Sequence, residues 1–312
     1  MAVKVETEMM ISGEDGEATD VCVSCGIAEI DEIKLKTCTA CKSLRYCSDE
    51  CQKKHRPQHK RACKKRMAEM RDELLFKQPE SSDRGDCPIC CLPLPLDPQK
   101  SGFGLSACCS KMICQGCNYA DQIRQRGLVI PQKPSCAFCR EPVPETDEEV
   151  DAMTMKRVEK NDPEAMWQMG ARRLAEGDYK SAFEYSTKAA ELGDANAHFN
   201  LSIMYRLGQG VEKDEKKHVY HLEVAAIGGH VDARYNLGCH EGNNGRIDRA
   251  VKHLIIAANM GEEGSMKALW EYHARGLVKK DDLTVTLRAH QAAVDAAKSQ
   301  QREEAEKFLK RN

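Results

Sequence analysis

The chain has 312 residues, 41% of them hydrophobic, which is enough apolar material for two or three folded units and excludes disorder from end to end. Its formal net charge of −2 makes it neither a polyanion-seeking cation nor an acidic tail protein, so a nucleic-acid role would need a local patch. Seventeen cysteines are far above ordinary usage, and all but Cys239 lie between Cys22 and Cys139.

Residues 1–20 carry Glu6, Glu8, Glu14, Asp15, Glu17 and Asp20 and no long apolar run. They are expected to form a disordered acidic tail, not a signal peptide or a membrane span. On that reading the protein is intracellular, cytoplasmic or nuclear, where paired cysteines hold metal more often than they form disulfides.

The first cysteine cluster, over 21–64, runs Cys22-x-x-Cys25, Cys38-x-x-Cys41, Cys47-x-x-x-Cys51 and His59-x-x-x-Cys63. A two-residue spacer turns both thiolates toward one ion, and three intervening residues on a helix place ligands at i and i+4 on one face. Eight ligands make two tetrahedral zinc sites, closed and therefore structural. Some forty residues bury too little apolar surface to be stable unaided, so each ion would supply folding free energy on the order of 10 kcal/mol. The string from Tyr46 to Cys63, YCSDECQKKHRPQHKRAC, closely resembles the MYND zinc finger, and all the ligands match by position. The resemblance implies alternating use of ligands, with Cys22, Cys25, Cys47 and Cys51 on one zinc and Cys38, Cys41, His59 and Cys63 on the other. It also implies binding of short proline-containing peptides, for which Gln52 matches; the family commonly has tryptophan where this chain has Arg56. The basic run of Lys53, Lys54, Arg56, Lys60, Arg61, Lys64, Lys65 and Arg66 is read as a solvated face favoured beside anionic thiolate sites, with a nuclear import signal as the alternative. Nucleic acid is not the expected partner.

A charged helical connector is expected over 65–85, and a second cluster over 86–142 follows: Cys87-x-x-Cys90, Cys108, Cys109, Cys114-x-x-Cys117 and Cys136-x-x-Cys139. Again there are ligands for two zinc ions, without Cys91. The layout resembles a RING domain, with apolar Ile89 between the first ligands, a helix near Asn118–Arg126 and Arg140 after the last cysteine. The resemblance implies Cys87, Cys90, Cys114 and Cys117 on one ion and Cys108, Cys109, Cys136 and Cys139 on the other. Lys111 stands where the family has histidine and cannot coordinate while protonated, so Cys108 substitutes. It further implies contact with a ubiquitin-conjugating enzyme through Ile89, and a bridge to ubiquitin through Arg140.

Pro142, Pro144 and the acidic residues from Glu145 to Asp151 mark a linker over 143–161, after which alanine-rich helical patterning replaces cysteine. Asp162-Pro163 supplies an N-cap and a proline at the first helical position. Three segments, KAAELG ending at Gly193, VAAIGG ending at Gly229 and IAANMG ending at Gly261, each close a helix pair. Ala165, Ala197, Ala233 or Ser265 follows in the next helix, with Met169, Leu201, Leu237 or Leu269 four residues on, at spacings alternating between 32 and 36. That period means stacked helical hairpins with alanines allowing close approach. The string from Asn200 to Asp214 resembles the Sel-one-like repeat, a relative of the tetratricopeptide repeat, with a divergent fourth copy after three full ones. The repeats fill 162–312 and end in one polar helix over 281–310. His218, His221, His253, His273, His290 and Cys239 are read as surface or packing residues.

The expected fold class is therefore mostly α: two small cross-brace zinc modules followed by an α-solenoid of helical hairpins. The expected function is a zinc-binding protein–protein interaction adaptor holding four zinc ions, with a RING-type ubiquitin ligase and a transcription-associated MYND scaffold as alternatives. No catalytic residue is assigned, and no membrane is involved. The order of MYND finger, RING-like cluster and Sel-one-like repeats resembles a protein set of diatoms and related algae.

Overall fold

The computed structural model describes residues 20–96, 103–127 and 133–310. Of the expected acidic tail, all but Asp20 lies outside them. The chain forms two compact units, Met1–Leu75 and Phe76–Asn312, each taken by itself below.

In the first unit two short strands, β1 (Lys36–Thr37) and β2 (Arg45–Tyr46), pair antiparallel and lead into α1 (Asp49–Leu75). Ser48 Oγ accepts from the Cys51 amide at 3.2 Å, and Asp49 and Glu50 stand in the first turn where the helix dipole favours acids. Pro57 sits inside the helix and removes one intrahelical bond without ending it. The helix that carries the last zinc ligands therefore runs on without a break into the stretch expected as a separate connector. The core is small: Cys22, Leu35, Cys38, Cys41 and Tyr46.

The second unit opens on an irregular segment, then the second cysteine module. Strands β3 (Phe103–Leu105) and β4 (Met112–Cys114) pair antiparallel, and Cys114 caps α2 (Gln115–Arg126), its sulfur accepting from the Cys117 amide at 3.4 Å. The stretch expected as an acidic linker contains α3 (Asp147–Val158), for a legible reason: Thr146 accepts from the Glu149 amide, with three acids in the first turn and Lys156 and Arg157 in the last.

Three hairpins follow: α4 (Pro163–Ala175) with α5 (Tyr179–Glu191), α6 (Ala195–Leu207) with α7 (Glu215–Ile227), and α8 (Val231–Asn243) with α9 (Ile247–Asn259). Asp162, Asp178, Asp194, Asp214 and His230 each cap a helix by accepting a backbone N–H. The middle hairpin has the long inter-helix turn, 208–214, and the outer two turn in three residues, which is the origin of the alternating spacing. Ala165, Ala197, Ala233 and Ser265 are fully buried, as are the bulky partners Met169, Leu201, Leu237 and Leu269. Gly193, Gly229 and Gly261 end their hairpins at φ of 89°, 87° and 96°.

A fourth pair, α10 (Glu263–Ala274) and α11 (Lys280–Ala296), extends the stack. The single final helix expected over 281–310 is two helices: Ser299 caps a separate α12 (Gln300–Leu309) by accepting from the Arg302 amide at 3.3 Å. Nor is α12 a free polar cap, because it packs on α2 of the cysteine module. The Tyr119 and Phe308 rings lie 4.9 Å apart, and Gly116 leaves so little room that a Cβ there would stand 2.9 Å from the Arg302 backbone nitrogen. Among the described residues no helix is long and apolar enough to cross a membrane.

Candidate metal centres

The sixteen donors expected from the sequence fall into four groups of four: Cys22, Cys25, Cys47 and Cys51; Cys38, Cys41, His59 and Cys63; Cys87, Cys90, Cys114 and Cys117; Cys108, Cys109, Cys136 and Cys139. Within each group all donor atoms lie within 4.8 Å of one another. Tetrahedral zinc with Zn–S bonds of about 2.3 Å needs sulfurs about 3.8 Å apart. The structure has Cys25 and Cys47 at 3.5 Å, Cys38 and Cys63 at 4.0 Å, Cys90 and Cys114 at 3.8 Å, and Cys109 and Cys136 at 3.9 Å, with Cys41 Sγ 3.2 Å from His59 Nε2. The donor sets, all-thiolate in three groups and thiolate with one imidazole in the other, are those zinc takes.

One backbone device builds these sites repeatedly. In four of the five Cys-x-x-Cys pairs, all but Cys114/Cys117 at the start of α2, the amide of the residue after the second cysteine returns to the carbonyl of the first: Gly26 to Cys22, Lys42 to Cys38, Cys91 to Cys87 and Arg140 to Cys136, at 2.8 to 3.0 Å. That turn needs the left-handed region, and the φ values are 76°, 58°, 56° and 67°. Only the first is glycine; the others hold a conformation that costs an L-residue about 1–2 kcal/mol, sustained by the ligands around it. Cys91, exposed and in no quartet, is thus the turn residue of its knuckle.

The same device explains Cys108. Ser110 has φ of 52° and its amide returns to the Ser106 carbonyl at 2.8 Å, so Ser106 occupies the first-cysteine position of a knuckle and Cys109 the second. Ser106 Oγ accepts from Cys136 Sγ at 3.6 Å, while Cys108, from inside the turn, approaches Cys139 Sγ to 3.3 Å and completes the quartet. The sequence signal for this turn is Ser106-x-x-Cys109, a knuckle with serine in place of its first cysteine.

Electrostatics distinguishes the first cysteine of each complete knuckle. Burial pushes the Cys22 thiol up, but the backbone amides of Cys47, Ser24 and Cys25 outweigh it and bring the thiol to about 6. Against burial, Cys38 and Cys136 likewise fall to about 6 through amides of their own knuckles, and Cys87 falls to about 7 through the Cys114 amide first and then those of Cys90 and Ile89. Aligned N–H groups thus favour the thiolate that a metal requires.

Neighbouring groups steady the quartets. Gln52, expected in a peptide groove, donates from Nε2 to Cys38 Sγ at 3.8 Å. His55 Nδ1 lies 3.1 Å from Tyr46 Oη, and its ring stacks on that of His59. In the second module Arg302, 5% exposed, reaches from α12 to Cys90 Sγ at 3.4 Å, the Leu92 carbonyl at 3.2 Å and the Pro93 carbonyl at 2.6 Å. No sequence signal links Arg302 to that site. Ile89 is 42% exposed, and Arg140 donates to Asp121 Oδ1 at 2.7 Å.

Residues 22–63 match the MYND finger, and 163–194, 195–230 and 231–262 each match the Sel1 repeat. The chain thus carries a MYND zinc finger followed by three Sel1 repeats, the latter coinciding with the three hairpins from α4 to α9. Among curated proteins it is similar to the putative beta-lactamase HcpC of two Helicobacter pylori strains, 39% identical over 56 residues and 40% identical over 52. These stretches are 18% and 17% of this chain and 19% and 18% of those proteins, so the chain matches about a fifth of its relatives' length. Among solved structures it is similar to a Sel1 repeat protein from Oxalobacter formigenes, at 29% identity and a TM-score of 0.40, covering 50% of this chain and 65% of that one. It is also similar to c5321, a protective antigen of uropathogenic Escherichia coli with an SLR fold, at 21% identity and a TM-score of 0.39, covering 63% of this chain and 41% of that one.

Proposed function

We propose that the protein is a zinc-dependent adaptor that binds other proteins, with each quartet closing around one zinc ion, four per chain. The observation that carries this reading is the gathering of the sixteen donors, and no other cysteine, into four-donor groups at zinc-compatible spacing. Closed sites of this kind hold a surface in shape and leave no open position for catalysis. The stacked hairpins offer a continuous surface suited to a protein partner, and the MYND finger a second one suited to short peptides. Elemental analysis of protein purified in reducing buffer tests the metal count: four zinc ions per chain are expected, and two or fewer would overturn it.

A ubiquitin ligase in which the second module is RING-like is the alternative. Two exposed apolar side chains inside knuckles favour it: Ile89 and, at 43% exposure, Phe138. Arg140 would have to leave Asp121 to bridge an enzyme and ubiquitin. Purified protein with activating enzyme, a panel of conjugating enzymes, ubiquitin and ATP should then build chains, and Ile89→Ala should lower the output without releasing zinc. Silence across the panel at full zinc content leaves the adaptor reading alone.

A further inference from the structure

We propose that Glu215, His218 and His240 form a metal site distinct from the cysteine quartets, a two-histidine, one-carboxylate centre for a divalent first-row transition metal that ties the second repeat to the third. The three donor atoms lie within 4.8 Å of one another. Glu215 and His218 are neighbours on one helix, but His240 comes from the next repeat, which is why spacing alone conceals the group. Asp214 accepts from the Lys217 amide at 3.1 Å and so starts α7, placing Glu215 in the first turn and His218 three residues on, along the same face. His240 stands in the last turn of α8, the first helix of the next repeat.

The hydrogen bonds prepare the ligands. His218 is buried, and its Nδ1 is 2.8 Å from the Ser202 carbonyl, which can only accept. Nδ1 therefore carries the proton and Nε2 is left with its lone pair, the arrangement in which a backbone carbonyl orients a metal-binding imidazole. The His218 and His240 rings are inclined at 73°, an edge-on arrangement in which nitrogens can converge without stacking. His240 Nδ1 lies 3.4 Å from Glu215 Oε1. On its far side, His240 Nε2 is 3.1 Å from Asn244 Nδ2, which also donates to the His240 carbonyl at 2.8 Å. Nε2 is then an acceptor, and the ring proton sits on Nδ1 toward Glu215. For Nδ1 to take an ion, the ring would have to be the Nε2–H tautomer, reached by exchange of the ring proton with water, with the Asn244 amide turned to present its oxygen to Nε2. Two neutral imidazoles and one carboxylate leave a net charge of +1 on the centre and room for water, as in three-ligand zinc sites. An exposed Glu–His pair alone would contribute little; the buried, oriented third donor makes the group a site.

The test uses the full-length protein with its quartets zinc-filled and loosely bound metal washed away by a weak chelator. Titration with zinc, followed by calorimetry, should show one further equivalent. Cobalt(II) in its place should give the weak visible bands of nitrogen and oxygen ligands without thiolate charge-transfer absorption. Glu215→Gln, at a side chain 67% exposed, and His240→Gln should each weaken that equivalent at least about tenfold while leaving the cysteine-held zinc and the helical circular dichroism unchanged. Asn244→Asp should tighten it, because a carboxylate holds the proton on Nε2. Absence of a further equivalent, its retention in both ligand variants, or cobalt bands of thiolate character would each overturn the proposal.

Discussion

The cysteine modules and the repeats bury side chains to a similar degree but with different contents. In the first module the buried cluster is Cys22, Cys38 and Cys41 with Leu35 and Tyr46, and in the second Cys87, Cys114, Cys117 and Cys136 with Leu94, Ile113 and Ala137. Those thiols belong to four-donor groups whose ligand atoms lie within 4.8 Å of one another, as zinc coordination requires. In the repeats the buried positions are apolar, among them Ala233 and Leu237, with Ala197 and Leu201 in one cluster and Leu254 and Leu269 in another. Burial alone does not say what holds a region together; the same low exposure reflects metal coordination in one and apolar contact in the other.

The sharpest break between the two is expected from Cys47→Ser, which removes a ligand from the first quartet. It should cost most of the roughly 10 kcal/mol that a structural zinc site contributes and unfold the first module, while the helical signal of the repeats persists. Circular dichroism with limited proteolysis separates the outcomes; joint loss of both signals would show that the halves fold as one. In the repeats, Leu237→Ala should cost about 2–5 kcal/mol through the cavity it leaves, read by chemical denaturation, with the zinc content unchanged.

Gly116→Ala probes the place where the two kinds of core meet. The added Cβ would press on the Arg302 backbone at 2.9 Å, and α12 must yield. A loss of about 1–3 kcal/mol is expected, together with faster chelator removal of zinc from the second module. An effect of similar size concerns pH. His253 is fully buried between Phe76 and neighbouring helices, without a hydrogen-bond partner for either nitrogen. Burial, and then Arg234 and Arg249, lower it to about 3. Its folded value lies below the unfolded one, so the stability is present above pH 6.5 and is lost as pH falls toward the folded value. Between pH 7 and 5 this residue should cost the protein about 2 kcal/mol as the unfolded chain takes up the proton. His253→Leu should flatten that part of the profile; an unchanged slope would mean that the ring is hydrated or already charged.

Much of this was legible in the sequence because it is local. Cys-x-x-Cys spacing, the alanine and leucine positions of the hairpins and the Asp162 cap are all set within one turn or one repeat. What escaped is non-local or chemically disguised. Arg302 meets Cys90 across 212 residues, and His240 meets His218 from the next repeat. Ser106 stands in a knuckle where a cysteine was sought, and Cys108 donates from an unusual place in the turn. The split of the last helix had a signal, Ser299 as an N-cap, that the continuous polar pattern obscured.

The central claim is that metal holds the second module and, through Arg302, seats α12, while the repeats hold themselves. Hydrogen–deuterium exchange before and after zinc removal by a strong chelator tests it most directly. Protection should fall together in residues 87–96 and 103–126 and in α12, Gln300–Leu309, while Pro163–Asn259 stays protected. If α12 keeps its protection without zinc, or if the three hairpins lose theirs with it, the account is wrong.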